Sequence, residues 1–163
     1  MYNGNSLDIG NIGEAVAIAE FQKRSIQTFL PFGHNNPIDI IALINNKLIR
    51  IQCKTTQKTH NNEYMYFNLT RDTRAYQHLK YTENEIDYFF LYCIENGFKG
   101  LISIQEINCS DVTIRLTAPK NNQCNRIRMY YDYDFNYRLN ELITRTNIYC
   151  PIQFIFPIVH NIL

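Results

Sequence analysis

Two adjacent segments rich in β-branched residues, 38–44 and 47–54, constrain the fold of this chain more than any other feature. Asn45 and Asn46 lie between them, and asparagine tolerates the positive φ angles that a tight turn requires. The pattern predicts a β-hairpin. Because side chains alternate between the two faces of a strand, Gln52 and Lys54 project from the same face.

The turn also predicts the register of the hairpin. Pairing sets Ile44 opposite Lys47 and, further from the turn, Asp39 opposite Gln52. Directly opposed residues have Cβ atoms roughly 5 Å apart. With Lys54 nearby, an acid, an amide and an ammonium group therefore converge at one end of an apolar hairpin.

These three polar groups require a partner, because burying each unpaired costs about 1–3 kcal/mol or more. A hard divalent cation such as Mg²⁺ provides one, since it takes oxygen ligands and keeps several waters. The Asp39 carboxylate, an amide oxygen and a backbone carbonyl would hold the ion, and phosphate would complete its shell. Lys54 would then position or deprotonate a water, or neutralise charge on a phosphate.

The same residues resemble the signature of the PD-(D/E)XK nucleases. Pro37 and Asp39, with one residue inserted between them, precede the segment 52–54. Gln52 stands where the family usually has Asp or Glu, and an amide brings an oxygen without a charge. Gln occurs at this position in a subgroup of the superfamily.

The resemblance is to the cyanobacterial-type group I intron homing endonucleases of this superfamily. It extends from Gly10 to about Tyr131 and includes residues 118–123. It implies one α/β domain over residues 1–163, with a restriction-endonuclease-like core in which helices flank a mixed β-sheet. It also implies a DNA endonuclease that uses Mg²⁺, with Mn²⁺ as a substitute, for attack of water on a phosphodiester. The implied catalytic residues are Glu14, Asp39, Gln52 and Lys54, and the implied metal ligands are Asp39, the Cys53 carbonyl and Glu14.

Glu14 has two interpretations. Residues 11–14 match a helix start in which Asn11 is the cap and Glu14 completes a capping box. Glu14 also shares a helical stripe with Ala17, Ile18 and Phe21, which points it toward the sheet. In the family, a Glu on this leading helix often joins the active site, where it would supply the carboxylate that Gln52 lacks.

The remaining elements follow from local patterns. Segment 25–30 predicts a strand that pairs with the hairpin, and residues 1–8 are expected to be flexible. A nearly continuous apolar run at 87–94 predicts a central strand covered on both faces. Further predictions are strands at 64–69, 98–104 and 112–116, a capped helix at 70–81 with Ala75, His78 and Leu79 toward the core, and a short helix at 139–146.

Basic residues are concentrated after the hairpin, although the net charge is only +1. Such a block suits a phosphate backbone, and the alternative is an ordinary solvated face. The candidate DNA contacts in it are Lys58, Arg71, Arg74 and Lys80.

A second polar and basic segment, 118–128, is the first choice for contact in the major groove. Asn and Gln can read adenine edges and Arg can read guanine. The alternative is a plain surface loop. The candidate DNA-binding residues here are Lys120, Asn121, Asn122, Gln123, Arg126 and Arg128.

The five cysteines form no C-x-x-C pair, and the four histidines show no ligand spacing. This argues against a zinc site or a disulfide framework and favours reduced thiols in the cytoplasm. No signal peptide is evident, and the apolar tail is too short to span a bilayer. We expect a second subunit to cover this tail, residues 150–163.

Together these features predict a sequence-specific, homing-type endonuclease that cuts double-stranded DNA. A double-strand break needs two sites facing opposite strands, which implies a symmetric homo-oligomer, a dimer or a tetramer. Two alternatives remain. One is a structure-specific nuclease such as a Holliday-junction resolvase, and the other is a catalytically inactive DNA-binding module.

Overall fold

The computed structural model describes residues 5–33, 36–72, 78–119 and 127–147. Helix α1 spans Ser6–Gln22 and α2 spans Phe135–Asn147. The strands are β1 Thr28–Phe29, β2 Ile40–Ile44, β3 Lys47–Thr56, β4 Tyr64–Asn68, β5 Thr70–Asp72, β6 His78–Lys80, β7 Tyr88–Cys93, β8 Lys99–Ser103 and β9 Asp111–Arg115. Neither helix combines the length and the apolarity needed to cross a bilayer.

A mixed five-stranded sheet in the order β1-β2-β3-β7-β8 forms the centre of the fold. β3 and β7 are parallel, whereas the other neighbours are antiparallel. β4 and β9 form a separate antiparallel pair. The sheet and its flanking helices confirm the predicted α/β class.

The β2–β3 hairpin has the predicted turn and register. Asn45 and Asn46 adopt φ angles of 49° and 61°, the left-handed values that a two-residue hairpin turn requires. The strand pairing continues from the turn to Ile40 opposite Ile51. Beyond this pair the Asp39 N–H donates to the Ile51 carbonyl at 2.9 Å, so the acid lies one residue outside the regular ladder.

Each face of the sheet has its own apolar core. On one face, α1 packs mainly on β3 and α2 on β8, and the two helices meet through the Phe21 and Phe135 rings, edge to face at 5.2 Å. On the other face, β4 and β9 cover β7 through Met65, Phe67 and Phe89. Burial of an aromatic or aliphatic side chain contributes about 1.5–3 kcal/mol. Both helices therefore stabilise one face, and strands replace helices on the other.

The start of α1 differs from the predicted one. Asn5 is the N-cap, and its side chain accepts a hydrogen bond from the Asp8 N–H at 3.0 Å. The capping box at Asn11 and Glu14 was therefore wrong, because the helix is already established before Asn11. Residues 6–8, expected to be flexible, are helical.

The predicted helix at 70–81 is wrong, because β5 and β6 form an antiparallel pair there. Asn68 explains the difference. Its side chain accepts from the N–H and the hydroxyl of Thr70, at 2.8 and 2.7 Å, which turns the chain instead of starting a helix. His78 and Leu79 are exposed rather than in the core, and Ala75 lies outside the described residues.

The other predicted elements are confirmed with small changes in their bounds. β1 is shorter than the predicted strand 25–30, and α2 begins four residues before the predicted 139. β4, β7, β8 and β9 lie where strands were expected. The connection between the parallel strands β3 and β7 is thus made of strands, β4 to β6, in the part of the chain that the structure describes.

Candidate active site

An open cleft of about 570 Å³ lies between the first half of α1 and the open end of the hairpin. It brings together all four predicted catalytic residues, Glu14, Asp39, Gln52 and Lys54, together with Cys53. These residues come from three separate parts of the sequence. The fold therefore brings together the three side chains that the hairpin pattern predicted and the Glu14 that the resemblance implied.

Close packing of α1 on β3 forms one wall of the cleft. A Cβ atom on the buried Gly13 would lie 1.8 Å from the Thr55 hydroxyl oxygen, which is too close for two atoms that are not bonded. Any larger residue there would force Thr55 or the helix to shift, so glycine permits this close contact. The close approach places Glu14, the next residue, beside the hairpin.

Asp39 is anchored to β3 by two hydrogen bonds to one oxygen. Its Oδ2 accepts from Gln52 Nε2 at 2.6 Å and from the Cys53 N–H at 2.7 Å. Burial raises the pKa of Asp39, the negative charge of Glu14 adds to this effect, and the Cys53 N–H, Lys54 and Gln52 oppose it, which leaves the pKa at about 6. The site therefore resists a second negative charge near Asp39 unless a cation is added.

Gln52 is 8% exposed, and the hydrogen bonds that its amide nitrogen donates fix the orientation of the amide group. Nε2 donates to Asp39 and, at 3.3 Å, to the Cys53 carbonyl. The amide oxygen Oε1 is buried, and among the described residues it has no hydrogen-bond partner. Buried polar atoms are almost always paired, so Oε1 is an acceptor that could serve as a ligand atom for a cation.

The donor set suits a hard divalent cation. Burial raises the pKa of Glu14, and the negative charge of Glu14 contributes to the raised pKa of Asp39. A cation between the two carboxylates would stabilise the charged form of each. Gln52 Oε1 and the Cys53 carbonyl add two neutral oxygens. No three His, Cys, Asp or Glu side chains group as a metal site within the described residues, so this site depends on its amide and carbonyl oxygens.

In Cys53, the backbone carbonyl and not the thiol is suited to bind a cation. Its thiol is buried in the core under the helices, and burial raises the pKa of that thiol well above the usual range. A neutral thiol is a poor ligand for a hard cation.

Lys54 lines the cleft from the face of β3 opposite to the helices, beside Thr70 and Tyr81. Its Nζ donates to the Thr70 carbonyl at 2.7 Å and lies 3.4 Å from the Tyr81 hydroxyl. Nζ is also 4.9 Å from the centre of the Tyr81 ring. No local sequence pattern indicates Thr70 or Tyr81 as part of the site, because both reach it through contacts between distant segments.

Only four of the predicted DNA contacts lie within the described residues. Lys58 is exposed on the rim of the cleft. Arg71 pairs with Glu85, and Lys80 approaches the Asn108 carbonyl at 3.4 Å.

Arg128, the fourth, donates to the Glu106 carbonyl at 3.2 Å. The remaining predicted contacts lie outside the described residues, as does the tail 150–163; they are Arg74, Lys120, Asn121, Asn122, Gln123 and Arg126.

A solved structure of a bacterial homing endonuclease, I-Ssp6803I, has a similar fold. The TM-score is 0.68 at 18% sequence identity, and the match covers 90% of this chain and 98% of that chain. At this identity the likeness establishes the fold alone. Comparison with curated proteins gave no significant match.

The model of the PD-(D/E)XK endonuclease family matches residues 4–136. This range covers most of the chain and includes α1, the hairpin and every residue that lines the cleft. The family match and the geometry of the cleft thus concern the same residues. The chain belongs to the PD-(D/E)XK endonuclease family.

Proposed function

We propose that this protein is a metal-dependent endonuclease that hydrolyses double-stranded DNA at a specific target. The observation that carries the proposal is the buried Gln52 Oε1, which has no partner among the described residues and lies beside the Asp39 carboxylate. An acceptor without a donor, next to a carboxylate whose pKa burial raises, favours a cation. Mg²⁺ is the proposed ion, with Mn²⁺ as a substitute.

Asp39, Glu14, Gln52 Oε1 and the Cys53 carbonyl would hold the ion. When bound, it supplies Lewis-acid chemistry, which polarises the phosphate and lowers the pKa of a bound water. Gln52 fixes the orientation of Asp39 through the 2.6 Å hydrogen bond. Lys54 directs its ammonium group to the nucleophilic water or to the charge that develops on the phosphate.

Cutting both strands requires two such clefts facing opposite strands, so we propose a symmetric dimer or tetramer. The similarity in fold to a homing endonuclease supports a specific target over a structure-selective one. Lys58, on the rim of the cleft, is the described residue best placed to contact the DNA backbone. The free thiols of Cys53, Cys93 and Cys109 support a cytoplasmic location.

The proposal is tested by digesting a genomic DNA library with the purified protein and Mg²⁺ and then sequencing the new ends. Recurrent cleavage at one sequence, abolished by EDTA and by Asp39→Asn, is the expected result. Lys54→Met should bind the same DNA and cut it only at a low residual rate. A four-way junction cut in preference to linear duplex would identify a resolvase instead, and wild-type protein that binds but never cuts would identify an inactive binding module.

A further inference from the structure

The ammonium group of Lys54 is held by the segment that follows β4, not by the hairpin that carries the lysine. The Thr70 carbonyl accepts from Nζ at 2.7 Å, and the Tyr81 hydroxyl lies at 3.4 Å. A lysine side chain has a flexible four-carbon stem. These contacts therefore select one of its many positions.

The Thr70 carbonyl is itself fixed. Thr70 is 8% exposed, and both its N–H and its hydroxyl donate to the Asn68 side chain. The Leu69 N–H donates to the Ser110 carbonyl at 2.8 Å, which ties this corner to β9. The carbonyl is thus presented to Lys54 by a corner with hydrogen bonds on each side.

The Tyr81 ring is fixed as well. It is 9% exposed and meets the Phe89 ring edge to face at 5.5 Å. The Arg71 guanidinium lies 5.4 Å from the ring centre and pairs with Glu85. Glu85 in turn accepts from the N–H and the hydroxyl of Thr82, the residue after Tyr81, at 2.9 and 3.0 Å.

We infer that the Thr70 carbonyl and Tyr81 are positioning groups for Lys54, and that the pairing of β5 with β6 holds them in place. The inference rests on the proposed function of Lys54 in the cleft. A cation over an aromatic ring gains about 0.5–2 kcal/mol, and a hydrogen bond to a charged group contributes about 1.5–3 kcal/mol. Both interactions restrict the ammonium group to one position in the wall of the cleft, where the proposed function requires it.

The contact is tested first without any cleavage, by NMR of protein carrying ¹³C at lysine Cε. The resonance that disappears in Lys54→Met identifies Lys54. Because its ammonium group lies over the ring of Tyr81, its Hε signals should be shifted upfield. Tyr81→Phe should keep this shift and Tyr81→Leu should remove it, whereas Tyr88→Leu, a matched loss of a half-buried ring from β7, should leave it unchanged.

Cleavage tests the consequence. In Tyr81→Leu the single-turnover rate at saturating DNA should fall about 10–100-fold, with the dissociation constant for DNA unchanged. In the Lys54→Met background the same substitution should have no further effect, a result that a merely structural role would not give. Tyr81→Phe, which keeps the ring, should fall less than Tyr81→Leu.

Two results would overturn the inference. One is a Lys54 resonance that Tyr81→Leu does not move, and the other is an equal loss of rate in the wild-type and Lys54→Met backgrounds. Wild-type protein that cuts no DNA while showing the shifted resonance would instead overturn the proposed function. The two failures are therefore distinguishable.

Discussion

Helix α1 carries two glutamates with opposite surroundings. Glu20, near its C-terminal end, is 6% exposed and accepts from Lys23, Arg24 and Lys99 at 3.0, 2.9 and 3.2 Å. Burial opposes its charge, but these three partners outweigh burial and lower the pKa of Glu20 to about 2. Its charge is fully compensated by the protein.

Glu14 lies in the cleft, and the described structure gives it another carboxylate as a neighbour. Burial raises its pKa, and its charge contributes to the raised pKa of Asp39. The protein compensates the acid near one end of the helix with three cations, whereas the acids in the cleft are the ligands that we propose for a cation from outside. On that proposal, the difference separates a carboxylate that stabilises the fold from carboxylates that act.

The largest test of this comparison is Asp39→Asn, which keeps the shape and removes the charge. Loss of a metal ligand removes several kcal/mol of transition-state stabilisation, so cleavage should fall by about 10³-fold or more. Single-turnover assays with Mg²⁺ would measure it. Glu20→Gln is the matched control, and it should cut at close to the wild-type rate when folded. A rate for Asp39→Asn within tenfold of wild type would remove the distinction.

The converse test measures the free energy of unfolding, to which Glu20 should contribute more than the acids in the cleft. Glu20→Ala leaves three cations without their partner and should lower the free energy of unfolding by about 2–3 kcal/mol. Because its folded-state pKa lies below its unfolded value, the contribution of Glu20 is present above pH 4.5 and is lost as the pH falls toward 2. Urea unfolding at pH 7 and pH 3 would measure it. An equal loss at both pH values would show that the effect is packing.

Gln52→Glu sharpens the comparison by adding a third carboxylate to the cleft. Without metal, the melting temperature should fall, because the Gln52 donor to Asp39 is replaced by a repelling charge. With Mg²⁺, affinity should rise about tenfold, which corresponds to about 1.4 kcal/mol. Calorimetry would measure both effects. Gln57→Glu, at another residue of the cleft lining, is the control and should change affinity less.

The smallest expected effect is the pH dependence of the metal-free protein. Burial raises the pKa of Asp39 to about 6, so the folded state binds its proton more tightly than the unfolded chain does. Stability should therefore decrease as the pH rises from about 4 to 7, by about 1 kcal/mol after allowance for partial exposure. In thermal melts, the melting temperature of the wild type should fall relative to that of Asp39→Asn as the pH rises over this range. Mg²⁺ should restore more stability at pH 8 than at pH 5, because it competes with the proton.

Local sequence predicts the part of the site that depends on local geometry. The hairpin, its asparagine turn and its register follow from β-branched residues and from the two-residue periodicity of strands. This was enough to bring Asp39, Gln52 and Lys54 together. The irregularity at Asp39, whose N–H pairs with Ile51, has no sequence signal, but it does not separate the side chains.

The parts that failed depend on contacts between distant segments. The pattern from Thr70 to Tyr81 suits a capped helix, but Asn68 captures Thr70 and the segment becomes a hairpin. Tyr81 directly follows β6, and its ring lies beside the Lys54 ammonium group, a contact that the local pattern does not predict. Propensity is a weak guide where such tertiary contacts compete with it.

The register of the hairpin has a consequence for how its tip can vary in length. Ile49, Ile51 and Cys53 lie in the core under the helices, while Lys54 turns to the opposite side. A shift by one residue would exchange the two sets, with the lysine beneath the helices and the isoleucines on the opposite face. A changed turn must therefore keep the same residues on the same face of β3. The register of the two strands can then shift only by an even number of residues.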